Sequence, residues 1–193
     1  MKFKIIRLKD NPISEKHAID CVEQAKTFGI DIEFFDAING LVYQEHIDKL
    51  GIKPRYKFKK GRAGVFGCFL SHYYLWKKCS EENVAYVILE HDGYFIKPLP
   101  HNILDTFKDV LKLEETLEGK DYSTGRWWAG AYAYMITPTG AEKLLKKCET
   151  HHVFPADVML GTNIVDVEFD SDGLVILNAD SNIALSTTYH SSF

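Results

Sequence analysis

The strongest constraint on this chain is the run Val84-Ala85-Tyr86-Val87-Ile88-Leu89, which ends abruptly in Glu90-His91-Asp92. Consecutive apolar residues, β-branched and aromatic among them, read as a strand buried on both faces, as in a parallel sheet sandwiched between helices. Ligands of open α/β sheets bind beyond the carboxyl ends of the strands. Glu90 and Asp92 are therefore expected at a crevice, as two hard oxygen ligands at i and i+2. That is a place for a divalent cation and a phosphate. An acid-x-acid triplet can also merely end a strand in a solvated turn; the buried strand before it favours the site.

The remaining chain predicts an alternation of strands and helices in a single domain over residues 1–193, with 46% hydrophobic residues to supply a core. Lys2 to Leu8 reads as a strand. Ser14 reads as an N-cap, followed by Ala18, Cys21, Val22 and Ala25 on one helical face, with Gly29 ending the helix. Ile30, Ile32 and Phe34 alternate with Asp31 and Glu33 as a half-buried strand, and Asn39-Gly40 marks a turn. A helix is expected from Cys68 to Cys79, where Cys68, His72, Leu75 and Cys79 share a stripe, and another near Leu104 to Leu113. Ala131 to Ile136 reads as a second core strand with Tyr132 and Tyr134 on one face. Thr137-Pro138 then caps a helix through Lys147. Late strands are expected at Ile164 to Phe169 and Leu174 to Leu177.

Net charge is −4, which argues against general nucleic-acid affinity, yet the charge is segregated. Lys49 to Lys78 holds nine Lys or Arg and no acid, leaving 14 basic against 27 acidic residues elsewhere. Lys53 to Arg62 interleaves six cations with Tyr56 and Phe58. That pattern suits an anion beside a stackable ring, a nucleotide or a single-stranded nucleic acid, and equally a solvated loop. The four cysteines lack CxxC spacing, which points to a reduced, cytoplasmic setting, and no apolar run approaches the ~18 residues of a membrane span.

Ordered motifs then carry a resemblance. Gly67-Cys68-Phe69-Leu70-Ser71-His72, Leu75-Trp76, Val87-Ile88-Leu89-Glu90-His91-Asp92, Gly130-Ala131-Tyr132-Ala133-Tyr134 and Gly140-Ala141-Glu142-Lys143-Leu144 together resemble the family 25 glycosyltransferases, among them lipopolysaccharide and collagen sugar transferases. The shorter form is similar to small members found in viruses of bacteria, which would place it in the host cytoplasm. The resemblance implies a GT-A type, Rossmann-like α/β fold with a mostly parallel central sheet flanked by helices. It also implies transfer of a hexosyl or pentosyl group from a nucleotide-diphosphate donor, a UDP-sugar by analogy, with Mn²⁺ or Mg²⁺. The acceptor implied is a hydroxyl on a glycan. Hydroxylated bases of viral DNA, or a binding module without turnover, are the alternatives.

By the same resemblance, Asp92 matches the acid that meets metal and diphosphate, with Glu90, His91 and, late in the chain, His190 as further ligands. The family usually has Glu-Asp-Asp where this chain has Glu90-His91-Asp92, so the metal site should be weaker by one charge. Arg7, Lys9, Ser71 and His72 are the donor-binding candidates. His72 and Ser71 equally suit a core helix face. Asp157, in the matching Pro155-Ala156-Asp157 segment, is the candidate base for the acceptor hydroxyl. Lys57, Lys59, Lys60 and Arg62 are candidates for phosphate or an anionic acceptor, with Trp127 as a stacking wall. His151-His152 lacks metal-ligand partners and is expected at the surface.

Overall fold

The computed structural model describes residues 1–54, 63–114, 131–161, 163–170 and 173–177. The elements in chain order are β1 (Lys2–Arg7), α1 (Pro12–Lys26), β2 (Glu33–Asp36), α2 (Tyr43–Leu50), β3 (Lys53–Pro54), α3 (Ala63–Glu82), β4 (Tyr86–Glu90), β5 (Gly93–Phe95), β6 (Val110–Lys112), β7 (Ala133–Ile136), α4 (Pro138–Thr150), β8 (His152–Val153), α5 (Ala156–Met159), β9 (Val167–Phe169) and β10 (Val175–Leu177). The main sheet has the order β2-β1-β4-β7-β6-β9. Only β7 runs against the others, pairing antiparallel with both β4 and β6. The β4 run is buried as read, with Tyr86, Val87, Ile88 and Leu89 fully enclosed.

The strand period of two sends alternate β4 residues to opposite layers. Ile88 joins Ile6, Tyr134, Phe69, Leu70, Trp76 and Leu144 under α3 and α4, whereas Val87 and Leu89 join Ile5, Met135, Ala18 and Cys21 under α1. Tyr132 departs from the expected alternation: it packs on the α1 side while Tyr134 packs on the α3 side, because the regular strand begins only at Ala133.

Several helix boundaries differ from the sequence reading for identifiable reasons. Helix α1 is capped by Asn11, whose side chain accepts from the backbone N–H groups of Ile13 and Ser14 ahead of Pro12 at the first turn. Ser14 instead accepts from Leu8 N at 2.9 Å and fastens the helix to the end of β1. Helix α3 begins at Ala63, earlier than expected, and carries Gly64 and Gly67 inside it. Gly67, with Gly40 opposite it, permits a close crossing. A Cβ on Gly67 would lie 2.6 Å from Ile38 O, and one on Gly40 would lie 1.8 Å from Ala63 O. Ser71 completes the crossing, donating to Gly67 O at 2.6 Å and accepting from Ile38 N at 2.9 Å.

Ile30 and Ile32 are buried as expected, but the strand starts at Glu33. The helix expected near Leu104 to Leu113 is absent. A short 3₁₀ turn, Ile103–Asp105, precedes β6 there, since Val110 and Leu111 pair with Ile136 and Met135 across the sheet. The late strand is shorter than read, Val167–Phe169, and Thr137 caps α4 through Gly140 N as read. No helix among the described residues is long and apolar enough to cross a membrane.

Candidate active site

The parallel strands deliver their ends to one edge, where Glu90 closes β4 with its side chain 14% exposed. Helix α3 lies over that end and presents Cys68 and His72, one helical turn apart, to the same carboxylate oxygen. His72 Nε2 stands 3.2 Å from Glu90 Oε1, and Cys68 Sγ donates to that oxygen at 3.6 Å. On the far side of the imidazole, Tyr134 OH stands 2.8 Å from His72 Nδ1 and accepts from Trp76 Nε1 at 2.8 Å. One assignment satisfies every group: indole N–H to tyrosine oxygen, tyrosine O–H to Nδ1, and Nε2–H to Glu90.

Burial by itself pushes the Glu90 carboxyl up, but the hydrogen bond from His72 brings it below the ordinary carboxylate value. Burial, with the Glu90 charge beside it, holds the Cys68 thiol well above its ordinary value.

A cation stands behind this group. Lys112 ends β6 in register with Tyr134, which itself pairs with Ile88, so its side chain shares the α3 face. It is fully buried, with Nζ 3.7 Å from Glu114 Oε1 and 5.6 Å from the Tyr134 ring centroid. Burial lowers the Lys112 pKa, opposed by the charges of Glu114, Asp157 and Glu90. Glu114 and Asp157 are both pushed up by burial, against the pull of Lys112. Asp157 lies in the first turn of α5, where its Oδ1 accepts from Val158 N at 2.9 Å. Glu114 thus pairs with the buried Lys112, on which the charges of Asp157 and Glu90 also act, an arrangement that spreads acid strengths apart.

The structure brings His72 and Glu90 into contact, and the charge of Asp157 on α5 acts on Glu90 and Lys112. His91 is fully buried, with its ring centroid 6.2 Å from that of His17 on α1 and its carbonyl accepting from Cys21 Sγ at 3.4 Å. Asp92 is 6% exposed, and its charge adds to the burial that takes the Cys21 thiol to about 12. Among the described residues, the group of three potential ligands within 4.8 Å of one another is Cys68, His72 and Glu90.

Arg7 and Lys9 follow the end of β1 and both reach Asp36, at 2.8 and 3.9 Å, while the Arg7 guanidinium stacks 4.3 Å from the Phe34 ring centroid. Ser71 is enclosed in the crossing described above. Lys57, Lys59, Lys60, Arg62, Trp127 and His190 lie outside the described residues. His151 and His152 are exposed, as read.

Sequence reasoning missed Lys112, Glu114 and the hub role of Tyr134. The available signal was Lys112 inside Val110-Leu111-Lys112-Leu113, a charge within an apolar run.

A mostly parallel sheet flanked by helices, with its acids and histidine gathered at the carboxyl edge, defines a GT-A type α/β fold. The likeness in fold extends to a solved glycosyltransferase involved in glycosylation of the major capsid of PBCV-1. That likeness has a TM-score of 0.50 at 8% identity and covers 96% of this chain and 95% of that one. Residues 1–127 match the profile of glycosyltransferase family 25 (LPS biosynthesis protein), and the chain belongs to that family.

Procollagen galactosyltransferase 1-A of Xenopus laevis is 34% identical over 186 residues, 77% of this chain and 30% of that protein. A putative glycosyltransferase of Acanthamoeba polyphaga mimivirus is 31% identical over 119 residues, 57% of this chain and 37% of that protein. The chain spans about a third of the length of the curated relatives it matches. A divalent cation suits the donor chemistry of Glu90, which ends β4, and Asp92, in the turn after it. His91 lies beside His17 of α1, and its charge also acts on Glu90.

Proposed function

We propose that this chain moves a hexosyl group, galactose by kinship with the procollagen galactosyltransferases, from a uridine diphosphate donor to a hydroxyl of a glycan. The observation that carries the reading is the contact of His72 with Glu90 at the carboxyl edge of a family 25 chain, with the charge of Asp157 on α5 acting on the same carboxylate. Cleaving a glycosyl phosphate leaves negative charge on the diphosphate. Glu90 and Asp92 would hold Mn²⁺ or Mg²⁺, which supplies neutralisation of that charge when bound.

Asp157 takes the acceptor proton in this reading, its raised pKa bringing it nearer the working pH of a general base. Lys112 touches no substrate from its buried position and acts by placing the charges of Glu90, Glu114 and Asp157. Arg7 and Lys9, at the neighbouring strand end, and the basic stretch with Lys57, Lys59, Lys60 and Arg62 are assigned to the donor diphosphate or an anionic acceptor. Four unpaired cysteines suit a reducing compartment. No described residue favours DNA as the acceptor.

The experiment is a panel of nucleotide-sugars with Mn²⁺, Mg²⁺ or chelator, with release of the nucleoside diphosphate as readout. The expected result is release of UDP from UDP-galactose that depends on the divalent cation and rises with acceptor. Binding of nucleotide-sugars without release under any condition would replace this reading by that of a binding module.

A further inference from the structure

We propose that Cys68 Sγ, His72 Nε2 and Glu90 Oε1 form a binding site for a borderline-soft divalent cation of the zinc class, which shares Glu90 with the hard-cation reading of the Glu90-His91-Asp92 turn. The three donors come from two rigid elements, one helical turn of α3 and the last residue of β4. Their spacing matches a tetrahedral ion. Zn–S, Zn–N and Zn–O bonds of about 2.3, 2.05 and 2.1 Å give sulfur–oxygen and nitrogen–oxygen edges of about 3.6 and 3.4 Å. The structure has 3.6 Å and 3.2 Å for these edges, and all three donor atoms lie within 4.8 Å of one another.

The surroundings fit as well. A metal-bound imidazole is ordinarily oriented by a partner on its other nitrogen. Here Tyr134 OH stands 2.8 Å from Nδ1 and is itself held by Trp76. When Nε2 ligates, the ring proton moves to Nδ1, and the tyrosine oxygen has a second lone pair to accept it. A thiolate and a carboxylate together neutralise a dication. Cys68 and Glu90 are only partly enclosed, which leaves a fourth position open to water. Thiolate and imidazole select zinc or cobalt over magnesium, which prefers an all-oxygen octahedron.

The test is titration of the purified protein with Co²⁺, read in the absorption spectrum and independent of any sugar transfer. The expected result is one equivalent of cobalt showing a thiolate-to-metal charge-transfer band with intense tetrahedral visible bands, displaced by Zn²⁺ and untouched by excess Mg²⁺. Cys68→Ser should abolish the charge-transfer band and weaken zinc binding by at least ~100-fold with the circular dichroism unchanged. In the wild-type chain, Zn²⁺ should slow alkylation of Cys68, read by mass spectrometry, which keeps the test valid where the variant folds poorly. Absence of the band in folded wild-type protein, its persistence in Cys68→Ser, or alkylation of Cys68 indifferent to zinc would each overturn the proposal.

Discussion

Asp109 and Lys112 stand three residues apart around β6, both fully buried and both charged in character, yet they serve opposite edges of the sheet in opposite ways. At the amino edge the acid is inside and its cation reaches outward. Asp109 Oδ2 takes the ammonium of Lys143, whose side chain is 36% exposed, and accepts from Asp166 N at 2.8 Å. Asp166 in turn pairs with Lys108 at 2.9 Å, and Gly140 lets α4 sit where a Cβ would be 2.6 Å from Asp109 O.

At the carboxyl edge the cation is inside and its acids reach outward, with the Glu114 carboxylate 3.7 Å away and Glu114 and Asp157 pushed up by burial. The first group is closed by direct hydrogen bonds and braces α4 and β9 on the sheet. The second keeps charge under tension at an open edge, which a fold tolerates where chemistry uses it.

The largest effects should separate these groups. Glu90→Gln should lower UDP-sugar turnover by at least ~100-fold, because it removes charge where the diphosphate and cation are proposed to be held, while unfolding free energy changes by less than about 1 kcal/mol. Asp109→Ala should do the reverse. It leaves the Asp166 N–H and the Lys143 ammonium without their acceptor, for a loss of about 3 kcal/mol in denaturant unfolding, with turnover per folded molecule retained. Equal losses of both properties in either variant would merge the two regions into one.

How much of this contrast the sequence shows depends on which interactions are local. Glu90 was readable because an apolar strand that ends in acids implies a crevice, and Thr137 because a cap and Pro138 adjoin in sequence. Asp157 was readable only through the resemblance of Pro155-Ala156-Asp157. Lys112 was not readable, because its burial depends on β6 pairing with β7, and the apolar positions Ile103, Phe107, Val110 and Leu111 also suit a helical stripe. Ser71 and Gly67, prominent in the motif, serve a backbone crossing with Ile38 and Gly40 that no spacing rule predicts. The burial of His91 beside His17 depends on the turn after β4, which adjacency in Glu90-His91-Asp92 does not encode.

Acidity sharpens the comparison by a smaller effect. Burial holds Asp157 above the ordinary aspartate value, so turnover should fall as pH drops through a pKa higher than that of a free aspartate. The stability sign follows from linkage: the folded chain favours the protonated acid, so Asp157 costs stability as pH rises from its unfolded to its folded pKa. Glu90, held below its ordinary value, contributes the opposite way, with stability lost as pH falls through its folded pKa. Thermal midpoints of wild type and Asp157→Asn across the acid range should therefore diverge with rising pH, the variant gaining. The smallest effect belongs to the exposed rim: Asp36→Asn, which removes the Arg7 and Lys9 partner, should change stability by about 0.5 kcal/mol.

The most direct measurement sets Asp157→Asn beside Asp109→Asn, each read for thermal midpoint and for turnover of UDP-galactose at neutral pH. The account predicts that Asp157→Asn loses turnover by at least ~100-fold with an equal or higher midpoint, while Asp109→Asn lowers the midpoint and keeps turnover per folded molecule. An Asp157→Asn protein that retains turnover, or that loses it only because it has unfolded, would contradict the assignment of the carboxyl edge as the reacting one.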